Sequence, residues 1–238
     1  VDAEGIGGIV LTAVYCFSAT GRTRRVAQYM ARMLSCQISE LSMDWRPDSY
    51  KVDTAVVVFP VYCQSLPLPV RKALPLISAS DFILIAAYGR KSFGNALREA
   101  VKLVKGRVIA GAYVPVGHTY LNEQLETDLS RLDPVLLRIA NPKPVHIPTS
   151  RKNPFASFFP LQRGKLGVRI TRGKNCDNCG LCTKLCPMHT MADGNPGKSC
   201  IRCLRCVHIC PQNALHTTLH PCLKQYLNGK RKNDFWVY

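Results

Sequence analysis

No apolar run in these 238 residues reaches the roughly 18–20 positions needed to span a bilayer. Gly5 to Phe17 comes closest, and it is short and interrupted by Thr12. Nothing reads as a signal peptide, so a soluble, cytoplasmic chain is expected. Acidic residues are scarce. Fifteen Asp and Glu stand against 32 Lys and Arg, a formal charge of +17. The basic residues are scattered through 22–25, 71–72, 151–152, 163–172 and 230–232, without a compact basic helix of nucleic-acid spacing. No specific nucleic-acid partner is therefore expected. The excess suits general solubility or an acidic partner. A dinucleotide fingerprint is missing too, because Gly5-x-Gly7 precedes the first strand, whereas such a loop follows one.

Cysteine, by contrast, is abundant. Eight of the twelve fall in two runs, Cys176-x₂-Cys179-x₂-Cys182-x₃-Cys186-Pro187 and Cys200-x₂-Cys203-x₂-Cys206-x₃-Cys210-Pro211, the second repeating the first 24 positions on. Three thiolates at this spacing wrap three corners of one cubane, and the cysteine before proline ligates the other cluster. The crossed sets are Cys176, Cys179, Cys182 and Cys210 on one [4Fe–4S], and Cys200, Cys203, Cys206 and Cys186 on the second. Zinc would use separated C-x₂-C pairs instead. Each ligated cluster carries about −2, so two leave a formal excess of about +13. Cys16, Cys36, Cys63 and Cys222 remain as free thiols of a reducing compartment in a cell with little oxygen, by default small buried hydrophobes. His189 and His208 lie among the ligands but are not needed as ligands.

Upstream, residues 9–17 form a β-branched apolar run, the pattern of a buried parallel strand. Ser18-Ala19-Thr20-Gly21-Arg22-Thr23 follows, then a helix with Val26, Tyr29, Met30, Met33 and Leu34 on one face. A strand, a hydroxyl-rich loop and a helix start can bind phosphate or simply cap the helix. Further strands are expected at 38–41, 53–59, 82–87 and 107–116. Helical segments are expected within 66–77, over 92–105, and over 121–140 with a restart at Asp133-Pro134. Alternation of this kind predicts an α/β domain built on a parallel sheet. A ligand then sits outside the carboxyl ends of its strands. Residues 141–165 are rich in proline and carry Phe155, Phe158 and Phe159, an ordered linker. A strand at 166–170 pairs with one at 215–218. The tail 223–238 holds Lys230-Arg231-Lys232 and Phe235-Trp236, and is basic and aromatic.

Residues 166–218 resemble the bacterial two-cluster ferredoxins, with all eight ligand positions present. Ser18, Thr20, Gly21 and Thr23 match the flavodoxin phosphate loop, [S/T]-x-T-G-x-T. Together the two halves resemble the flavodoxin–ferredoxin fusion (EFR-type ferredoxin) family over nearly the whole chain. The resemblance implies a doubly wound flavodoxin-like sheet of order 2-1-3-4-5 over 1–140, the linker 141–165, a ferredoxin domain over 166–222 and the tail 223–238. It also implies FMN and two [4Fe–4S] clusters. The phosphate would sit on Ser18, Ala19, Thr20, Gly21, Arg22 and Thr23. The flavin ring would lie between Pro60-Val61-Tyr62-Cys63-Gln64-Ser65 and Tyr88-Gly89-Arg90-Lys91-Ser92-Phe93. Tyr62 is the first stacking candidate and Tyr88 the second. Arg90 and Lys91 would stabilise the reduced ring. The chain departs from the family at Cys63-Gln64-Ser65, where relatives often carry Gly.

These cofactors point to electron transfer between a flavin and iron–sulfur clusters, with a redox protein such as an acidic ferredoxin as partner. Two alternatives stay open: a redox-sensing or docking module with a degenerate flavin site, and a flavin reductase acting on a free small molecule.

Overall fold

The computed structural model describes residues 10–47, 49–149 and 160–238. The readings for residues 1–9 and for Phe155, Phe158 and Phe159 lie outside these. Five strands form the parallel part of the first module: β1 (Thr12–Cys16), β2 (Ile38–Glu40), β3 (Val52–Pro60), β4 (Ala79–Tyr88) and β5 (Arg107–Pro115). Their order is 2-1-3-4-5, the flavodoxin-like doubly wound order. β3, β4 and β5 are buried along almost their whole lengths. Strands covered on both faces carry apolar runs rather than alternation. Ala55, Val57 and Phe59 face one core, and Val56 and Val58 the other.

Helix α1 (Arg22–Met33) follows β1 and buries Thr23, Val26, Ala27, Met30 and Ala31. Met33, expected on the same face, is exposed. α2 (Leu68–Ala73) follows β3 and runs on into a 3₁₀ turn, Leu74–Leu76. The helix expected over 92–105 is shorter, α3 (Ala96–Val101), because Gly94 at φ 58 holds the chain in a turn until Asn95. The helix expected from 121 does not form. Asn122 takes a left-handed conformation that closes the 3₁₀ turn Thr119–Leu121. A second 3₁₀ turn, Leu129–Leu132, leads into α4 (Asp133–Ala140). Asp133 is the first residue of α4 rather than its cap, and accepts a hydrogen bond from Tyr29 Oη. In the linker, Val145 N–H donates to Val108 O at 2.9 Å and Ile147 is buried in the first module's core.

The ferredoxin-like module begins with α5 (Pro160–Gly167) and β6 (Val168–Arg172). Two short helices, α6 (Leu181–Lys184) and α7 (Arg205–His208), flank a hairpin of β7 (Met191–Ala192) and β8 (Asn195–Pro196). β9 (Leu215–Leu219) then returns antiparallel to β6. No helix among the described residues is long and apolar enough to cross a membrane.

The tail does more than the sequence foreshadows. α8 (Pro221–Asn228) packs beside the ferredoxin-like module, and the chain then crosses back to the first. There β10 (Trp236–Val237) pairs antiparallel with β5 as the sixth strand of the sheet. On the way Lys232 N–H donates to Arg90 O at 2.8 Å. Tyr88 Oη donates to Asp234 O at 2.7 Å. Removing that hydroxyl in Tyr88→Phe should cost about 1 kcal/mol. Amide exchange at Trp236–Tyr238 should speed up several-fold, read by mass spectrometry. Unchanged exchange would show that strand pairing alone holds the tail.

Candidate functional site

The loops after β1, β3, β4 and β5 open on one edge of the sheet and face the ferredoxin-like module. A cavity of about 720 Å³ lies between them, within the usual size range of cofactor sites. One wall holds Ala19, Thr20, Arg22 and Thr23, then Pro60, Val61, Tyr62, Cys63 and Gln64, then Gly89, Lys91 and Ser92. The opposite wall is α5 with Arg163 and Gly164, the loop Ile201–Cys203, and α8 with Cys222, Leu223 and Tyr226. Residues far apart in sequence, Thr20 and Cys203 among them, therefore border one space.

In the first loop Gly21 sits at φ 85 at the cap of α1, and a Cβ there would meet nothing within 4 Å. The torsion, not crowding, calls for glycine. Glycine carries no side chain to fill the helix start, which leaves its N–H groups and dipole for an anion. Ser18 lies outside the cavity lining and acts as a cap, its Oγ accepting from Arg24 N–H at 3.1 Å. Arg22 Nη1 donates to Thr20 Oγ1 at 3.2 Å and its Nε to Glu123 O at 3.1 Å.

The loop after β3 is a two-residue turn. Tyr62 and Ser65 exchange both backbone hydrogen bonds at 3.0 Å, while Cys63 and Gln64 take φ 50 and 66. Such a turn favours Asn-Gly, and each non-glycine residue in it costs about 1 kcal/mol or more. Gly94 presses against it, since a Cβ there would come 2.5 Å from Gln64 O. Ser65 serves this scaffold rather than the cavity: its Oγ donates to Glu99 Oε2 at 2.6 Å. Tyr62 keeps its expected place on the wall, and burial pushes its phenol well up.

The loop after β4 departs from expectation. Tyr88 is 1% exposed and lies in the core. Phe93 stacks on Tyr113 at 4.0 Å between ring centroids. Neither ring lines the cavity. Arg90 Nε donates to Asn233 Oδ1 at 2.6 Å, and Arg90 also pairs with Glu123 at 3.8 Å. Lys91 does line the cavity, but its ammonium donates to Gly229 O at 2.6 Å and to Lys230 O at 3.2 Å. The tail takes up the charges expected to face a ring.

The sequence reading passed over a fourth loop, after β5, whose Val116, Gly117, His118, Thr119 and Tyr120 complete the wall. Its position at a strand's carboxyl end was the available signal. His118 lies against Gly89, where a Cβ would come 2.6 Å from its ring. His118 Nδ1 accepts from Tyr120 N–H at 3.2 Å, and the backbone N–H of His118 donates to Glu123 Oε2 at 3.4 Å. Tyr120 Oη reaches across and donates to Arg202 O at 3.0 Å.

A separate small cavity is lined by Cys176, Cys179, Cys182 and Cys210. Cys203 is pushed up to about 11 by burial, with Cys200 and Cys186 adding to the rise. Cys206 is pushed to about 12 by burial, then by Cys203, Cys200 and Cys186. Burial and neighbouring thiols thus oppose ionisation of Cys203 and Cys206, a penalty that a cationic core relieves by binding them as thiolates. Among the described residues no three His, Cys, Asp or Glu side chains converge as a single ion requires. A cubane, by contrast, takes its thiolates at separate corners.

Among known proteins, the family profile of the 4Fe-4S binding domain (Fer4) matches residues 198–216. A search of curated proteins gave no match. Two solved structures are similar to part of the chain, each described as a candidate flavoprotein. One, from Bacteroides uniformis, is 20% identical over 47% of this chain and 94% of its own, with a TM-score of 0.35. The other, from Bacteroides eggerthii, is 19% identical over 55% of this chain and 98% of its own, with a TM-score of 0.37. Superpositions this loose bear on neither ligand nor activity.

His118 gives the site a testable pH response. Burial, then Lys91, Arg22 and Arg231, depress it from 6.5 to about 4, with Glu123 the acid bonded to its backbone. The unfolded chain therefore takes up the proton first, and stability drains away as pH falls from 6.5 to about 4. His118→Gln should flatten that limb of a denaturation series, and the ring resonance of the wild-type protein should not titrate above pH 5. An ordinary midpoint near 6.5 would place the ring in solvent.

Proposed function

We propose that the chain is an electron carrier that holds FMN between its two modules and two [4Fe–4S] clusters in the second. The carrying observation is that one cavity is bordered by Thr20 and Thr23 at the start of α1, by Tyr62 and by Cys203. When bound, a flavin exchanges one or two electrons and each cluster one, and the protein supplies orientation and electrostatics.

The residues present fit that load. Thr20, Thr23 and the start of α1 would hold a phosphate, with Arg22 beside them. Tyr62 offers a ring face for stacking. Arg22, Lys91, Arg163 and Arg202 give the lining positive charge, which favours an anionic ligand. Cys176, Cys179, Cys182 and Cys210 would hold one cluster, and Cys200, Cys203, Cys206 and Cys186 the other. The second set adjoins the flavin cavity through Cys203, and the first lies towards solvent with Cys179 exposed. We assign the outward side to exchange with a redox protein of acidic surface, matched to the net charge of +17.

Protein purified anaerobically should release about eight iron and one FMN per chain. Eight iron without FMN, even after incubation with excess FMN, would overturn the flavin half of the proposal. Gly21→Ala places a side chain in the left-handed region at about 1–2 kcal/mol. It should weaken FMN binding about tenfold in a fluorescence titration, with iron content unchanged.

A further inference from the structure

Arg202 stands between two cysteines of the second set, Cys200 and Cys203. Its backbone is held at φ 56, and Tyr120 of the other module fixes its carbonyl through the bond at 3.0 Å. Its side chain lines the cavity between the modules. A Cβ placed at Gly164 would meet Arg202 Cγ and Cys63 Sγ, each at 3.9 Å. The arginine stem and the strained turn after β3 therefore flank one point of the wall. Nε and Nη1 of Arg202 are buried and have no hydrogen-bond partner among the described residues. A guanidinium is always charged, and leaving its donors buried and unmet is costly. Nε and Nη1 face different edges of the planar group, so the guanidinium needs acceptors on more than one side, which a ligand with several ring carbonyls and nitrogens can supply. The other cations expected to serve such an edge, Arg90 and Lys91, are engaged by the tail.

We propose that the Arg202 guanidinium pairs with the electron-rich acceptor edge of the flavin ring and so sets the potential at which bound FMN is reduced. The proposal rests on the flavin reading of the cavity. On that reading the phosphate end is taken by Thr20–Thr23 at the start of α1, which leaves Arg202 for the ring. It acts as a positioning and tuning group. A positive charge at that edge binds the reduced form more tightly than the oxidised one, and therefore raises the potential. This assigns to the ferredoxin-like module a share in the chemistry of the flavodoxin-like site.

The test compares wild-type protein with Arg202→Gln and Arg202→Lys, each loaded with iron and FMN. Flavin potentials are read by spectroelectrochemistry and cluster potentials by electron paramagnetic resonance. Arg202→Gln should weaken binding of reduced FMN about tenfold more than that of oxidised FMN, which lowers the two-electron potential by about 30 mV. Arg202→Lys should recover part of that shift, and iron content should stay at the wild-type level in both. A flavin potential unchanged in both variants, with or without a shift in the clusters, overturns the proposal and leaves Arg202 to the cluster. Wild-type protein that carries its iron but takes up no FMN overturns the flavin reading itself, and this proposal with it.

Discussion

The cavity between the modules has walls made by distant parts of the chain, and neither wall encloses it alone. That constraint governs the rest of the molecule, because two small domains joined by a linker rotate against each other unless something holds them. Here the holding is polar and distributed. Tyr120 Oη bonds Arg202 O at 3.0 Å, His189 Nε2 meets Asp44 at 2.9 Å, and the tail runs back from α8 to β5. Tyr120 and Met43, both from the first module, also pack on the apolar cluster of the second. Tyr120 and Arg202 also line the cavity, so one of the bonds that join the modules helps to fix its shape.

Charge follows from this closure. Drawing Arg22, Lys91 and Arg202 into a partly dry space raises the cost of leaving them unmatched. The protein meets part of it with carbonyls and one acid. Lys91 is held by the carbonyls of Gly229 and Lys230, Arg22 by Glu123 O, and Arg90 and Arg231 by the Glu123 carboxylate. Glu123 is thus a hub in a chain poor in acids. His118, surrounded by these cations, remains neutral, which limits the charge that accumulates at the rim.

What could be read in advance was local. The parallel sheet followed from alternating strands and helices, and its order from the resemblance carried by the short Ser18–Thr23 pattern. Tyr88, Arg90 and Phe93 lie away from the cavity lining for a reason that their own loop does not reveal. Their loop was recognised, but Tyr88 and Arg90 are engaged by Asp234 and Asn233 of a tail far along the chain, and Phe93 by stacking on Tyr113 of β5. His118 and Arg202 were passed over because each draws its meaning from the opposite wall. The short α3 and the missing helix before α4 reflect Gly94 and Asn122 in left-handed conformations, which apolar periodicity does not reveal.

The sixth strand of the sheet deserves a reading as biosynthesis. β10 comes after the whole ferredoxin-like module in the chain, yet it closes the edge of a sheet begun at Thr12. On the ribosome the edge of β5 therefore stays uncovered until the cysteine repeats have been made. An open edge is a site for wrong pairing, and at about 5–20 residues per second it stays open for roughly ten seconds of synthesis. The sheet of the first domain is thus completed only after the cysteines of the second have been made.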